Sequence, residues 1–245
     1  MVGLGTIINV AAIVVGGILG LFVGKAMKPG LQEILKTALG LCVIFMSVAD
    51  VMKQMLSVSS DGSISTKGSY MMIASLVLGS FFGEIIGIEK RIEQFGTWLK
   101  AKTNSGSDSG FVDGFVSASL TVCVGAMAIL GSIKDGISGD FSILATKSIL
   151  DCVIVLIMAS SVGKGPIFSA VPVLILQGSV TVLARFIAPV MTEAAIANLS
   201  LVGGILIFCV GVNLVFPKVK LRVGNMLPSI IFAVVWAFVP FLKTL

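Results

Sequence analysis

The stretch Ser142–Gly163 reads SILATKSILDCVIVLIMASSVG. It is long enough to cross a bilayer as one helix, which takes about 20 apolar residues. It nevertheless carries Lys147 and Asp151, four residues apart and so on one face of that helix. A charge at the bilayer centre costs roughly 2.5–3.5 kcal/mol on insertion scales, so both groups must face protein or water. A charged pair inside an apolar span needs other helices around it. The fold class expected from this stretch is all-α, a polytopic helical membrane protein.

Composition points the same way. Of 245 residues, 56% are hydrophobic and 12% charged, and mean hydropathy is +1.10. A soluble domain carries about 25% charged residues, so this chain cannot cover a water-exposed surface. There is no histidine, which removes imidazole catalysis and imidazole metal sites. Together these features exclude a nucleic-acid binder. No nucleophile has a credible base, so no enzyme activity is expected. No cofactor and no metal are expected either. Gly20-x-x-x-Gly24-Lys25 is one spacer short of a phosphate loop, and Gly3-x-Gly5 follows no strand. Asp135-Gly136 and Gly139-Asp140 read as turn dipeptides, without the oxygen ligands of a calcium loop.

Working outward, eight segments qualify as spans: 4–24, 31–52, 70–88, 111–131, 142–163, 166–187, 196–216 and 224–242. The second starts with Glu33 and Lys36, and the fourth is rich in Gly, Ser and Thr. Seven spans plus a re-entrant segment is the alternative count. The first span reads as a retained helix, since no basic segment precedes it. Lys100–Ser109 (KAKTNSGSDS) reads as a flexible linker. Cys42, Cys123, Cys152 and Cys209 each lie in an apolar run and read as buried free thiols.

Basic residues set orientation. Eight spans put 11 of them on one side (Lys25, Lys28, Lys36, Lys90, Arg91, Lys100, Lys102, Lys164, Lys218, Lys220 and Arg222). The other side receives 6: Lys53, Lys67, Lys134, Lys147, Arg185 and Lys243. The richer side is expected in the cytoplasm, with both termini outside. Gly16, Gly20 and Gly24, then Gly79, Gly83 and Gly87, form two stripes with a four-residue repeat. Such stripes let helices approach closely in lipid. The two striped spans are expected to pack on other helices or on each other, and a homo-oligomer, a dimer or larger, is expected.

Leu39–Asp50 (LGLCVIFMSVAD) aligns without gaps to Val202–Asn213 (VGGILIFCVGVN), matching Gly40 with Gly203, Ile44 with Ile207 and Phe45 with Phe208. Shifted by one residue, Gly16 falls on Gly178. Spans one to three thus resemble spans six to eight. Spans four and five lie between the copies, and a displacement of five spans is odd, so they enter the membrane from opposite sides. That is an inverted repeat, with repeat A over 1–90, a central pair over 111–163, repeat B over 166–245 and a linker over 100–110, all in one transmembrane domain. Transporters built this way hold their site near the midplane.

The candidate site follows from depth. In span four, Ser117, Ser119 and Thr121 alternate ahead of Gly125 and Gly131, which is poor helix chemistry. A break near Gly125 would expose backbone groups that can hold ions. Thr121, Asp151 and Gln177 reach similar depth from three spans. The substrate- or ion-binding candidates are therefore Thr121, Gly125, Lys147, Asp151 and Gln177. Asn9, Asp50, Glu84, Asp113 and Asn213 lie nearer span ends and are secondary candidates.

Several segments together resemble one bacterial membrane family. They are Gly5–Asn9 (GTIIN), Cys123–Gly136 (CVGAMAILGSIKDG), Lys147–Asp151 (KSILD), Ser169–Leu174 (SAVPVL) and Gln177-Gly178. The family is labelled domain of unknown function 554, and the resemblance covers nearly the whole chain. Many members carry proline where this chain has Ala126, so no proline breaks span four here. The resemblance implies a polytopic inner-membrane protein and draws attention to residues 113–178. It implies no established activity. The function expected from the residues is a secondary transporter or channel for a small solute or ion. The rival is a non-transporting membrane scaffold or partner subunit.

Overall fold

The computed structural model describes residues 2–239, apart from Ser107 and Pro217. The last residues assigned to span eight, and Lys243, therefore lie outside the described residues. Helices dominate: α1 (Leu4–Ala26), α2 (Pro29–Met55), α3 (Ser69–Ile86), α4 (Ile88–Lys102), α5 (Phe111–Cys123), α6 (Ala126–Ser138) and α7 (Ser142–Val162). A 3₁₀ turn over Gly165–Ser169 leads into α8 (Ala170–Val182), followed by α9 (Ala184–Ile187), α10 (Glu193–Val215), α11 (Val223–Met226) and α12 (Pro228–Trp236). One short hairpin, β1 (Leu56–Val58) with β2 (Ile64–Thr66), joins α2 to α3.

Among the described residues, six helices are long and apolar enough to cross a membrane: α1, α2, α3, α7, α10 and the run Gly165–Val182. The pair α5–α6, bent by 60°, makes a seventh when taken as one broken span. Span eight appears as the shorter apolar run Val223–Trp236. Large apolar side chains point outward all round the bundle, among them Phe22, Phe45, Phe81, Ile149, Ile175 and Ile231. That is a surface suited to lipid rather than water.

The glycine stripes are spent inside the chain. A Cβ placed on Gly16, Gly20 or Gly24 would lie 2.4, 2.2 or 2.5 Å from the carbonyl oxygens of Cys152, Leu156 and Ser160. The register rises together on both helices, so α1 and α7 run parallel with touching backbones. Gly79 and Gly83 meet Ser229 and the Asn225 carbonyl of the α11–α12 segment. The stripes therefore pack on other segments of the chain and not on each other. Gly87 takes no part in packing; at φ +67 it ends α3 and begins α4.

Three further pairings are antiparallel. Gly40 meets Gly211, while Gly204 meets Ser47 and Val51, joining α2 to α10. Thr6 meets Thr181 and Gly17 meets Ile167, joining α1 to the 3₁₀–α8 run. The Gly79–Ser229 and Gly83–Asn225 contacts join α3 to α11–α12.

Four expectations are corrected. The linker is shorter than expected: Lys100–Lys102 complete α4, and Asp108 is tied down by the Lys164 amide at 2.8 Å. The Ile88–Lys102 stretch is an amphipathic helix that hydropathy alone passes over, because its charges make it a poor span. Asp135-Gly136 lies inside α6 rather than in a turn, while Gly139, at φ +71, does end that helix. Of the four free cysteines, Cys42 is exposed on the outer surface and the others are half-buried.

Candidate functional site

The break in span four is real and specific. α5 stops at Cys123, Gly125 sits at φ +149 and ψ 152, and α6 starts at Ala126. α5 begins beside the end of α7, with Gly110 against the Val162 carbonyl, and α6 passes the start of α7, with Gly131 against Leu144. The bent pair thus runs antiparallel to α7 and leaves its break part-way along. Ending α5 there frees carbonyls that have no intrahelical partner.

Lys147 takes one of them. Its Nζ donates to the Val122 carbonyl at 2.7 Å and to Asp151 Oδ2 as an ion pair. Asn9 Nδ2 of α1 donates to the same carboxylate oxygen at 3.0 Å. Lys147, Asp151 and Asn9 are 7%, 3% and 0% exposed. The placement has a plain cause: a lysine ammonium is stabilised by the negative end of a helix dipole as well as by the carboxylate. The pair therefore bridges α5, α7 and α1 at the hinge.

Gln177 is 1% exposed, and neither of its amide atoms has a partner among the described residues. Its place follows from register. Thr6 and Thr181 meet at 3.5 Å, and Ile13 and Val173 share one apolar cluster with Val122 and Val155. Between those two levels of the antiparallel pair, Asn9 and Gln177 occupy facing positions. Asn9 Oδ1 is also without a partner. Buried polar atoms are nearly always paired, and leaving one unpaired costs about 1–3 kcal/mol. Three such atoms lie at this one level of the antiparallel pair.

The remaining candidates divide. Thr121 is buried, but its hydroxyl donates to the Ser117 carbonyl of its own helix, outside the network. Gly125 is the hinge. Among the secondary candidates only Asn9 joins the site. Asn213 is structural, with both amide atoms on the Leu221 backbone at 2.8 Å. Asp50 is exposed on α2. Glu84 accepts from Arg222 at 2.6 Å and Asn225 at 2.7 Å. Asp113 is exposed at the mouth of a cleft of about 260 Å³, which Lys36, Ser117, Asn213 and Lys220 also line. A narrower cleft beside it reaches Leu120 and Val210, members of the apolar cluster that contains Val124 and Leu206.

Sequence reading missed several groups. Asp135, fully buried, accepts the Gly3 and Gly5 amides at 3.2 and 3.0 Å and so holds the start of α1. Glu89 accepts the Gly224 amide at 2.9 Å while its own amide donates to Asn225 at 2.8 Å. Burial pushes the Glu89 carboxyl above the usual glutamate value, and the Gly224 amide opposes that shift. Pairing with Glu93 moves Lys220 upward. The Val122 carbonyl has no signal in side-chain chemistry at all; only the helix break beside it could have pointed there.

The hinge makes a direct prediction. A side chain is strained at φ +149 even though nothing lies within 4 Å of the added Cβ. Gly125→Ala should lower stability by about 1–3 kcal/mol through backbone strain alone, read as a lower midpoint of thermal unfolding in detergent. An unchanged midpoint would mean that the break does not need glycine.

Fold and site together define a polytopic all-helical membrane protein with a buried ion pair at a broken helix. The chain belongs to the family described as protein of unknown function (DUF554), whose family model matches residues 4–238. It is 29% identical over 235 residues to the uncharacterized membrane protein YdfK of Bacillus subtilis (strain 168), covering 96% of each chain. It is 26% identical over 234 residues to the uncharacterized protein YqgA of Escherichia coli (strain K12), covering 94% of each. No solved structure matches.

Proposed function

We propose that this protein is a secondary transporter or channel for a small solute or ion in the cytoplasmic membrane, with its site at the Gly125 hinge. The observation that carries the reading is the buried Lys147–Asp151 pair, tied to a helix-end carbonyl and set at the level of unpartnered Asn9 and Gln177 atoms. Asp151 carries the charge that changes partner, Lys147 competes for it, and Gln177 faces the passenger. A scaffold would keep every deep polar group paired and dry, so the orphaned Gln177 amide weighs against that rival.

Inverted repeats support the same reading. The alignment carries Gly40 to Gly203 and Val48 to Gly211. The two close approaches, Gly40 on Gly211 and Ser47 on Gly204, therefore exchange within one residue. Each helix of repeat A also lies antiparallel to its counterpart in repeat B. Two copies related by an axis in the membrane plane would do this, with the site between them.

Orientation rests on charge. Lys36, Lys220 and the end of α7 share one cleft, and the basic residues of that end outnumber those opposite. That end is the cytoplasmic one, which leaves the start of α1 and the end of α12 outside. Asn104→Cys should then stay unlabelled by an impermeant thiol reagent in intact cells and react once the membrane is opened. Labelling in intact cells would reverse the orientation.

The test of function is flux. Purified protein in liposomes, screened against a panel of ions and metabolites, should move at least one of them in a way that depends on Asp151. No flux from a folded protein across the panel would overturn the transport reading.

A further inference from the structure

We infer that α4 is an interfacial helix that binds the headgroups of anionic phospholipids through one face, the stripe Arg91, Phe95, Trp98 and Lys102. These residues stand at intervals of four, three and four along the helix, so they share one side of it. All four are exposed, Phe95 at 37% and Trp98 at 52%. The two rings stack with centroids 5.7 Å apart. Phe95 also meets Phe115 of α5 at 5.9 Å, which anchors the aromatic pair to the bundle. Two cations thus bracket a fixed aromatic pair on an open face.

Two contacts set this helix at the edge of the apolar layer. Gly87 both ends α3, a helix of membrane-crossing length, and begins α4. The inner face of α4, with Ile92, Gly96 and Leu99, packs on Phe111 and Phe115 at the opening of α5. A third face, with Lys90, Gln94, Thr97 and Ala101, is exposed and carries no large apolar group. Protein takes the first of these faces and water suits the polar one. The stripe needs a solvent that is apolar for its rings and anionic for its ends. The headgroup level of a bilayer is such a solvent: aromatic rings settle there, and long basic side chains reach from it to phosphate.

Charge makes the lipid an anionic one. The acids of α4 are already taken, Glu89 by the Gly224 amide at 2.9 Å and Glu93 by Lys220 at 3.3 Å. Both line the narrow cleft with Asp113, and helical periodicity puts them on the side of α4 away from the stripe. Lys90, Arg91, Lys100 and Lys102 have no ion-pair partner among the described residues. Arg91 offers a planar fork that matches phosphate oxygens, and Lys102 offers a point charge. Lipid binding here is independent of any flux through the Gly125 hinge.

The experiment uses the full chain carrying Trp236→Phe, which leaves Trp98 as its one tryptophan. It is placed in lipid discs of phosphatidylcholine and phosphatidylglycerol in equal parts, with bromine high on the acyl chains of one lipid or the other. Trp98 emission should be quenched by brominated lipid and shielded from acrylamide in the water. Brominated phosphatidylglycerol should quench more than brominated phosphatidylcholine, with an exchange preference of about fivefold for each of the two cations. Adding Arg91→Gln and Lys102→Gln should remove most of that preference while Trp98 stays in contact with lipid, and high salt should act the same way. Should Trp236→Phe not fold, the difference between wild type and Trp98→Phe gives the same readings. Equal quenching by the two brominated lipids would overturn the inference. So would quenching by acrylamide with none by lipid, an outcome that leaves the stripe to a soluble protein partner.

Discussion

Asp151→Asn is expected to destabilise this protein by about 3–5 kcal/mol, because it leaves the Lys147 ammonium buried without its counter-charge. The Val122 carbonyl still accepts from Lys147, but a neutral carbonyl does not offset a full charge at 7% exposure. Lys147→Met combined with Asp151→Leu removes both charges and replaces them with apolar groups of similar bulk. Such replacements of buried ion pairs are often neutral or stabilising, so the double variant should regain the thermal midpoint of wild type. A pair that only ties α5, α7 and α1 together would then be dispensable, and flux would return with the fold. A pair that exchanges its partner with a passenger cannot be replaced this way. We expect a well-folded double variant with flux lost, measured in liposomes at matched protein content. Full flux from it would reduce the pair to structural glue and move the search to Glu84 and Asp50.

The second large effect concerns the glycine contacts. At Gly83 an added Cβ would lie 1.8 Å from the Asn225 carbonyl oxygen, and at Gly20 it would lie 2.2 Å from that of Leu156. Both clashes are with backbone, which cannot rotate away as a side-chain tip can. Overpacking a filled interior costs about 1–3 kcal/mol, occasionally more, and here whole helices must part. Gly83→Ala and Gly20→Ala should each fall at or beyond the upper end of that range. Gly178, next to Gln177 on α8, has nothing within 4 Å of an added Cβ. Gly178→Ala should be neutral or stabilising by about 0.5–1 kcal/mol, the ordinary helical gain. Thermal unfolding of the three variants side by side checks this; equal losses at all three would mean that helix propensity rather than close packing governs these positions. Because the stripes lie against α7 and the α11–α12 segment, the loss should show in the isolated protomer.

What the sequence determined by itself was everything set by local chemistry and by the solvent. Hydropathy placed α1, α2, α3, α7 and α10 to within a few residues, because a span must be long and apolar whatever its neighbours. Ser117, Ser119 and Thr121 ahead of Gly125 and Gly131 pointed to the hinge, since a backbone that has lost helix propensity breaks where glycine can hold φ +149. The cost of charge in lipid picked out Lys147 and Asp151 as partners, because four residues make one helical turn. Tertiary structure decided what lies across a gap between segments. Asn9 looked like an end-of-span residue until α1 brought it onto Asp151, 142 positions away. Asp135 looked like a turn residue until the start of α1 came to rest on it. α4 was passed over because its charges resemble those of a loop, and its apolar face acquires meaning only against α5. The Val122 carbonyl was invisible for a deeper reason: every residue has one, and only the break in its own helix and the arrival of Lys147 from α7 make this one the acceptor of a buried charge.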